Sequence, residues 1–135
     1  MLSTKVTKIY KLFGNGHSMR FPRVSDTPDR FRDGQKLCRN CEKFVSSGRR
    51  YYCSIQCMSE FNRNNTWYWV RKDVLKRDRY SCRICKGRFR KRFLDVDHIA
   101  PVRMGGNVFE KANLRTLCKD CHKRKTKLDR EALGY

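Results

Sequence analysis

Apolar and polar residues alternate over Phe93-Leu94-Asp95-Val96-Asp97, and this period of two predicts a short strand. Leu114 to Leu117 predicts a returning strand, and Pro101 with Gly105-Gly106 predicts the loop between them. From Cys118 to about Leu128 or beyond, the chain reads as a basic helix. The order strand, loop, strand, helix closes the chain. Upstream, Trp67, Val70, Val74 and Leu75 recur at helical spacing and predict a helix over 65–80. Trp67 and Trp69 read as packing residues there rather than as base-stacking platforms. Ser46-Ser47-Gly48 predicts a turn between short strands, and Ser54 suits a helix N-cap. Thr4 to Phe13, β-branched and aromatic, precedes the turn signal Gly14-Asn15-Gly16 and suits a strand or hairpin. Ser25 to Asp29 reads as a loop.

Four segments follow from this pattern. Residues 1–36 form a basic N-terminal segment, 37–64 a compact finger, 65–80 a connecting helix and 81–135 the module that carries the chemistry. The expected class is α+β, built of small modules.

Cysteine spacing changes the picture most. All eight cysteines fall into close pairs: Cys38/Cys41, Cys53/Cys57, Cys82/Cys85 and Cys118/Cys121. Two thiolates from one tight turn can fill two corners of a zinc tetrahedron. The expectation is two structural zinc ions, each on four cysteines, with a disulfide framework as the weaker alternative. A closed four-cysteine site has no open coordination position, so none of the eight is expected to be catalytic. The metal instead replaces the large core that so short a segment cannot bury.

Charge narrows the partner. The 135 residues carry 33 Lys+Arg against 13 Asp+Glu, a formal net charge of +20. That favours a polyanion. The stretch 71–92 alone holds eleven basic residues against Asp73 and Asp78. No apolar run approaches the roughly 20 residues of a membrane span. Met1-Leu2-Ser3-Thr4-Lys5 opens no apolar signal region. The expected setting is cytoplasmic, or nuclear in a eukaryote, with no membrane partner.

Within the second cysteine frame lie Asp97-His98, Gly105-Gly106, Asn113 and Cys118-Lys119-Asp120-Cys121-His122. This set, over roughly residues 70–128, resembles the motif of HNH endonucleases, the ββα-metal nucleases, in their zinc-stapled form. Lys125-Thr126 also matches many zinc-stapled members. The upstream four-cysteine finger, treble-clef-like in its spacing, resembles a finger–HNH pairing seen in some members. The resemblance implies a ββα-metal core and metal-dependent hydrolysis of DNA, leaving 5′-phosphate and 3′-hydroxyl ends. It implies His98 as general base, with Asp97 and His122 holding one catalytic cation. Asn113 would be structural, bonding the loop that carries His98. Thr126, not histidine, follows His122 by four residues. A three-histidine zinc site is therefore not expected, and Mg²⁺ or Mn²⁺ is favoured.

Asp95 shares a strand face with Asp97. It reads as a solvent-facing carboxylate, with a supporting role behind the site as the alternative. His17 lies outside the motif and reads as ordinary. Lys123, Arg124, Lys125 and Lys127 are expected to touch phosphates, although a solvated helix face would look the same. The rival reading is a non-catalytic zinc-finger protein binding DNA or RNA, which would not need Asp97, His98, Asn113 and His122 together. One site per chain suits nicking by a monomer, and a homodimer could cut both strands.

Overall fold

The computed structural model describes residues 22–134, so the strand or hairpin expected near Thr4 to Phe13, and His17, lie outside it. The chain divides into two compact units that part between Trp69 and Val70. The expected α+β class holds, with three α-helices and two two-stranded antiparallel sheets among the described residues.

The first strands among the described residues form a hairpin that the apolar pattern did not predict. Strand β1 (Arg30–Arg32) pairs with β2 (Gln35–Leu37), Arg32 opposite Gln35 and Arg30 opposite Leu37. The two linking residues, Asp33 and Gly34, have φ of 51° and 74°. Such left-handed pairs match the strand twist, and Asp-Gly is a favoured sequence for them. The chain then enters the Cys38–Cys41 knuckle, and a single bridge joins Leu37 to Phe44. Arg49 N donates to Ser46 O at 3.1 Å, so the turn at Ser46–Gly48 forms, but no strands flank it. Ser25 lies in a short 3-10 turn, Val24–Asp26, rather than in open loop. Helix α1 (Ile55–Asn65) begins at Ser54, whose hydroxyl accepts the Cys57 N–H at 3.1 Å. This cap satisfies one of the donors every helix start leaves open. Phe61 on α1 is buried beside Tyr52.

Helix α2 (Trp67–Arg77) spans the boundary between the units. Val70, Val74 and Leu75 are fully buried, as the spacing predicts. Trp69 is not: it is 36% exposed and meets Tyr68 edge-on. Trp67 is half-buried. Trp69 therefore lies outside the fully buried stripe, which starts one residue later.

The second unit is a hairpin of β3 (Leu94–His98) and β4 (Leu114–Cys118), with α3 (Lys119–Ala132) packed on both strands. Leu94 faces Cys118, Val96 faces Thr116 and His98 faces Leu114. Leu94, Val96, Val108, Phe109, Leu114 and Leu117 form the core. The end of α2 ties into this hairpin. Asp78, 5% exposed, accepts the Thr116 N–H at 2.9 Å and two Arg77 contacts. Burial raises its pKa, but the bonds from Arg77 and Thr116 outweigh that and hold it below the ordinary value. Arg77 also donates to Lys111 O and Leu114 O, at 2.6 and 2.7 Å, and Arg71 donates to Leu94 O at 3.0 Å. Part of the basic run read as phosphate contacts is thus spent inside the fold. No helix of the described residues is long and apolar enough to cross a membrane.

Candidate active site and zinc centres

The cysteines gather as two groups of four: Cys38, Cys41, Cys53 and Cys57, and Cys82, Cys85, Cys118 and Cys121. Within each group the sulfurs lie within 4.8 Å of one another. Cys41–Cys53 and Cys53–Cys57 stand at 3.5 Å and Cys85–Cys118 at 3.9 Å. A tetrahedron of thiolates on zinc has sulfurs about 3.8 Å apart, and all eight thiols are free. Both groups fit a zinc ion. Backbone dipoles prepare two of the ligands, Cys38 and Cys82. Burial pushes Cys82 up, but the N–H groups of Cys118, Cys85 and Ile84 outweigh it and bring the thiol to about 6. At neutral pH it is a thiolate, the form that binds metal. The second group staples the strand before α3 to the knuckle at Cys82–Cys85, and Arg83 N donates to Thr116 O at 2.8 Å.

Strand and helix then bring the polar set together. Asp95 and Asp97 share one face of β3, by strand alternation. His122, in the first turn of α3, lies against both. Its Nδ1 meets Asp95 Oδ2 at 2.9 Å, and its Nε2 stands 3.8 Å from Asp97 Oδ1. Asp95 Oδ1 takes Lys119 Nζ at 2.5 Å. Asp95 is therefore not solvent-facing, which corrects that expectation. Burial raises its pKa, but Lys119 and His122 outweigh it and hold the carboxyl below its ordinary value. A carboxylate only accepts, so Nδ1 of His122 carries a proton and Nε2 faces Asp97. This is how carboxylates orient metal-binding histidines.

The separation of 3.8 Å is too long for a hydrogen bond. It leaves room for a cation bonded to both groups at about 2.1 Å. Asp97 Oδ2 is buried without an aligned hydrogen bond. One nitrogen and one carboxylate oxygen, Asp97 Oδ1, fit a divalent ion that completes its shell with water or phosphate, while Oδ2 faces Lys125.

His98 ends β3. Its Nε2 lies 3.0 Å from Val108 O. A carbonyl only accepts, so Nε2 carries the proton and Nδ1 is the nitrogen able to take another. Asn113 sits just before β4 and closes the loop that follows His98. Its Oδ1 accepts Ala100 N–H at 2.9 Å, and its Nδ2 donates to Ala100 O at 3.1 Å and Asn107 O at 3.2 Å. Its backbone O accepts Ile99 N–H at 2.7 Å. The closure is tight. A Cβ on Gly106 would lie 2.0 Å from Ala100 O and 2.8 Å from Asn113 Nδ2.

Of the four basic residues expected at phosphate, Lys123, Arg124 and Lys127 are exposed on α3. Lys125 is 7% exposed, pairs with Asp129, and stands 2.9 Å from Asp97 Oδ2. Its charge is committed inside the protein, so a phosphate-contact role for Lys125 is corrected. Reading the motif did not show the hold of Asp95 on His122 or the inward charge of Lys125.

Residues 82–128 match the family model described as HNH endonuclease. The resemblance read from the sequence holds over this segment, and the two cysteine groups suit its zinc-stapled form. No curated protein and no solved structure matches the chain.

Proposed function

We propose that this protein is a metal-dependent endonuclease that hydrolyses DNA phosphodiesters, nicking with little sequence preference. The observation that carries the reading is the pairing of His122 Nε2 with Asp97 Oδ1, with Asp95 holding the histidine by Nδ1. A binding module has no use for that arrangement. Asp97 and His122 would hold Mg²⁺ or Mn²⁺, which supplies charge stabilisation at the phosphate and at the departing 3′ oxygen. His98 Nδ1 takes a proton from the attacking water, whose oxygen bonds to phosphorus as the bond to the 3′ oxygen breaks. An imidazole suits this task because its ordinary pKa lies near neutrality. Asn113 holds the His98 loop in shape. Lys123, Arg124 and Lys127 give the exposed face of α3 positive charge for the phosphate backbone, which carries no base information.

The test is conversion of supercoiled plasmid to open circle by the zinc-loaded protein with Mg²⁺ or Mn²⁺, beside His98→Ala. Metal-dependent nicking by the wild type, lost in His98→Ala with duplex binding retained, is the expected result. Duplex binding without cleavage by the wild type, with either ion, would favour the non-catalytic DNA-binding reading. Preferential binding of structured RNA would favour the RNA-binding one.

A further inference from the structure

Lys125 is the one lysine or arginine of α3 that is buried. A buried ammonium is costly unless paired. It has Asp129 one helical turn on, and it stands 2.9 Å from Asp97 Oδ2. That oxygen accepts no aligned hydrogen bond, so the ammonium serves it by charge. The opposite oxygen, Oδ1, is the one on the His122 side. Lys125 thus occupies the outer half of the very carboxylate that would carry the cation.

The local charges decide what this does. Asp95, Asp97 and Asp129 bring three negative charges, Lys119 and Lys125 bring two positive ones in ion pairs with them, and Arg115 stands opposite Asp97 on β4. These carboxylates are already matched by cations of the chain, so a divalent ion bound there adds positive charge that a phosphodiester anion offsets. Removing Lys125 leaves one more negative charge to the cation.

We propose that Lys125 is a positioning residue that presents Asp97 through Oδ1 and couples cation binding to DNA binding. Its charge keeps the cation weakly held until a phosphate of the substrate arrives. This rests on the endonuclease reading for the identity of the partner, but the effect on cation affinity does not depend on cleavage.

The experiment measures Mn²⁺ affinity by electron paramagnetic resonance in zinc-loaded His98→Ala protein, with and without a short duplex, the duplex alone serving as blank. Adding duplex should tighten Mn²⁺ binding. Lys125→Met should tighten it without DNA by roughly tenfold or more, as expected for removing a charge about 6 Å from a divalent ion even at solvent-like dielectric. The DNA effect should shrink in that variant. Asp129→Asn removes a negative charge and leaves Lys125 to Asp97 alone, so it should weaken Mn²⁺ binding. A role confined to stability would not move the two affinities in opposite directions. Equal or weaker affinity in Lys125→Met with both zinc ions retained would overturn the proposal. If that variant does not fold, unchanged or tighter binding in Asp129→Asn overturns it. Opposite shifts without any wild-type cleavage would sink the endonuclease reading and leave the cation-site role of Lys125 standing. Cleavage with unmoved affinities would do the reverse.

Discussion

Replacing Asn113 by Ala separates two roles that a residue at this place can have. In the structure its side chain touches only the loop after His98, through two bonds to Ala100 and one to Asn107. Each such bond contributes about 0.5–1.5 kcal/mol net, and the two to Ala100 are exposed to water, so their sum is about 2 kcal/mol. That is roughly a 30-fold shift toward an open loop, since 1.4 kcal/mol is a factor of ten. Amide exchange at Ala100 should accelerate by about that factor. The nicking rate should fall, while zinc content and duplex affinity stay near wild type. Asn113→Asp is the sharper probe. It keeps the acceptor for Ala100 N–H, loses both donors and faces two carbonyl oxygens with a negative charge, so it should be at least as damaging. Unimpaired nicking by both variants would refute the structural role. Lost nicking with unchanged exchange at Ala100 would refute it differently, by showing that Asn113 acts on cation or phosphate directly.

His98→Ala should lower the nicking rate by roughly 10²–10⁴-fold, the usual worth of a general base, and near-normal activity in a clean preparation would end that assignment. Elemental analysis should find two zinc ions per chain that survive mild EDTA, while the cation needed for cutting is removed by it; a folded, active, zinc-free protein would reject both cysteine sites. Replacing Lys123, Arg124 and Lys127 together by Ala should flatten the salt dependence of duplex binding by up to about 0.9 in log–log slope per lost phosphate contact and weaken all duplexes alike; a sequence-selective loss would mean that α3 reads bases. Asp78 has its carboxyl held below its ordinary value of 3.8, so its stabilisation is full above that pH and is lost as pH falls through the folded value. The gap in thermal midpoint between wild type and Asp78→Asn should therefore shrink below about pH 4, and a gap that widens on acidification would contradict the buried ionised carboxylate.

The elements that carry a dense local signal were legible in the sequence. Alternation placed β3 to within a residue at each end: Phe93 ends a 3-10 turn instead, and His98 closes the strand. Residues 114–117 returned as β4, and the basic stretch after Cys118 is α3. Cysteine spacing predicted both groups of four because two close pairs per zinc leave few other solutions. The hairpin at Arg30–Leu37 was missed for a physical reason. Arg30-Phe31-Arg32 and Gln35-Lys36-Leu37 bury almost nothing apart from Leu37, so no hydrophobic period marks them. Its ion pairs, Arg30 with Glu42 and Lys36 with Asp29, are invisible to periodicity. Only Asp33-Gly34 announced it.

Asp95 was read as solvent-facing and Lys125 as a phosphate contact because a motif names residues one at a time, whereas their roles arise where two periods cross. A strand returns to one face every two residues, which puts Asp95 beside Asp97. A helix returns every three or four, which aligns Lys119, His122, Lys125 and Asp129 along one stripe of α3. Laying that stripe on that strand face pairs Lys119 with Asp95, His122 between Asp95 and Asp97, and Lys125 between Asp97 and Asp129. Charges of opposite sign therefore alternate across the contact. Each carboxylate of β3 is steadied by a lysine on one oxygen and turns the other toward His122. A solvated face would place its lysines outward, as Lys123 and Lys127 are placed. The inward lysine among outward ones is the signal, and it becomes readable once the strand is used to say which side of the helix is inside.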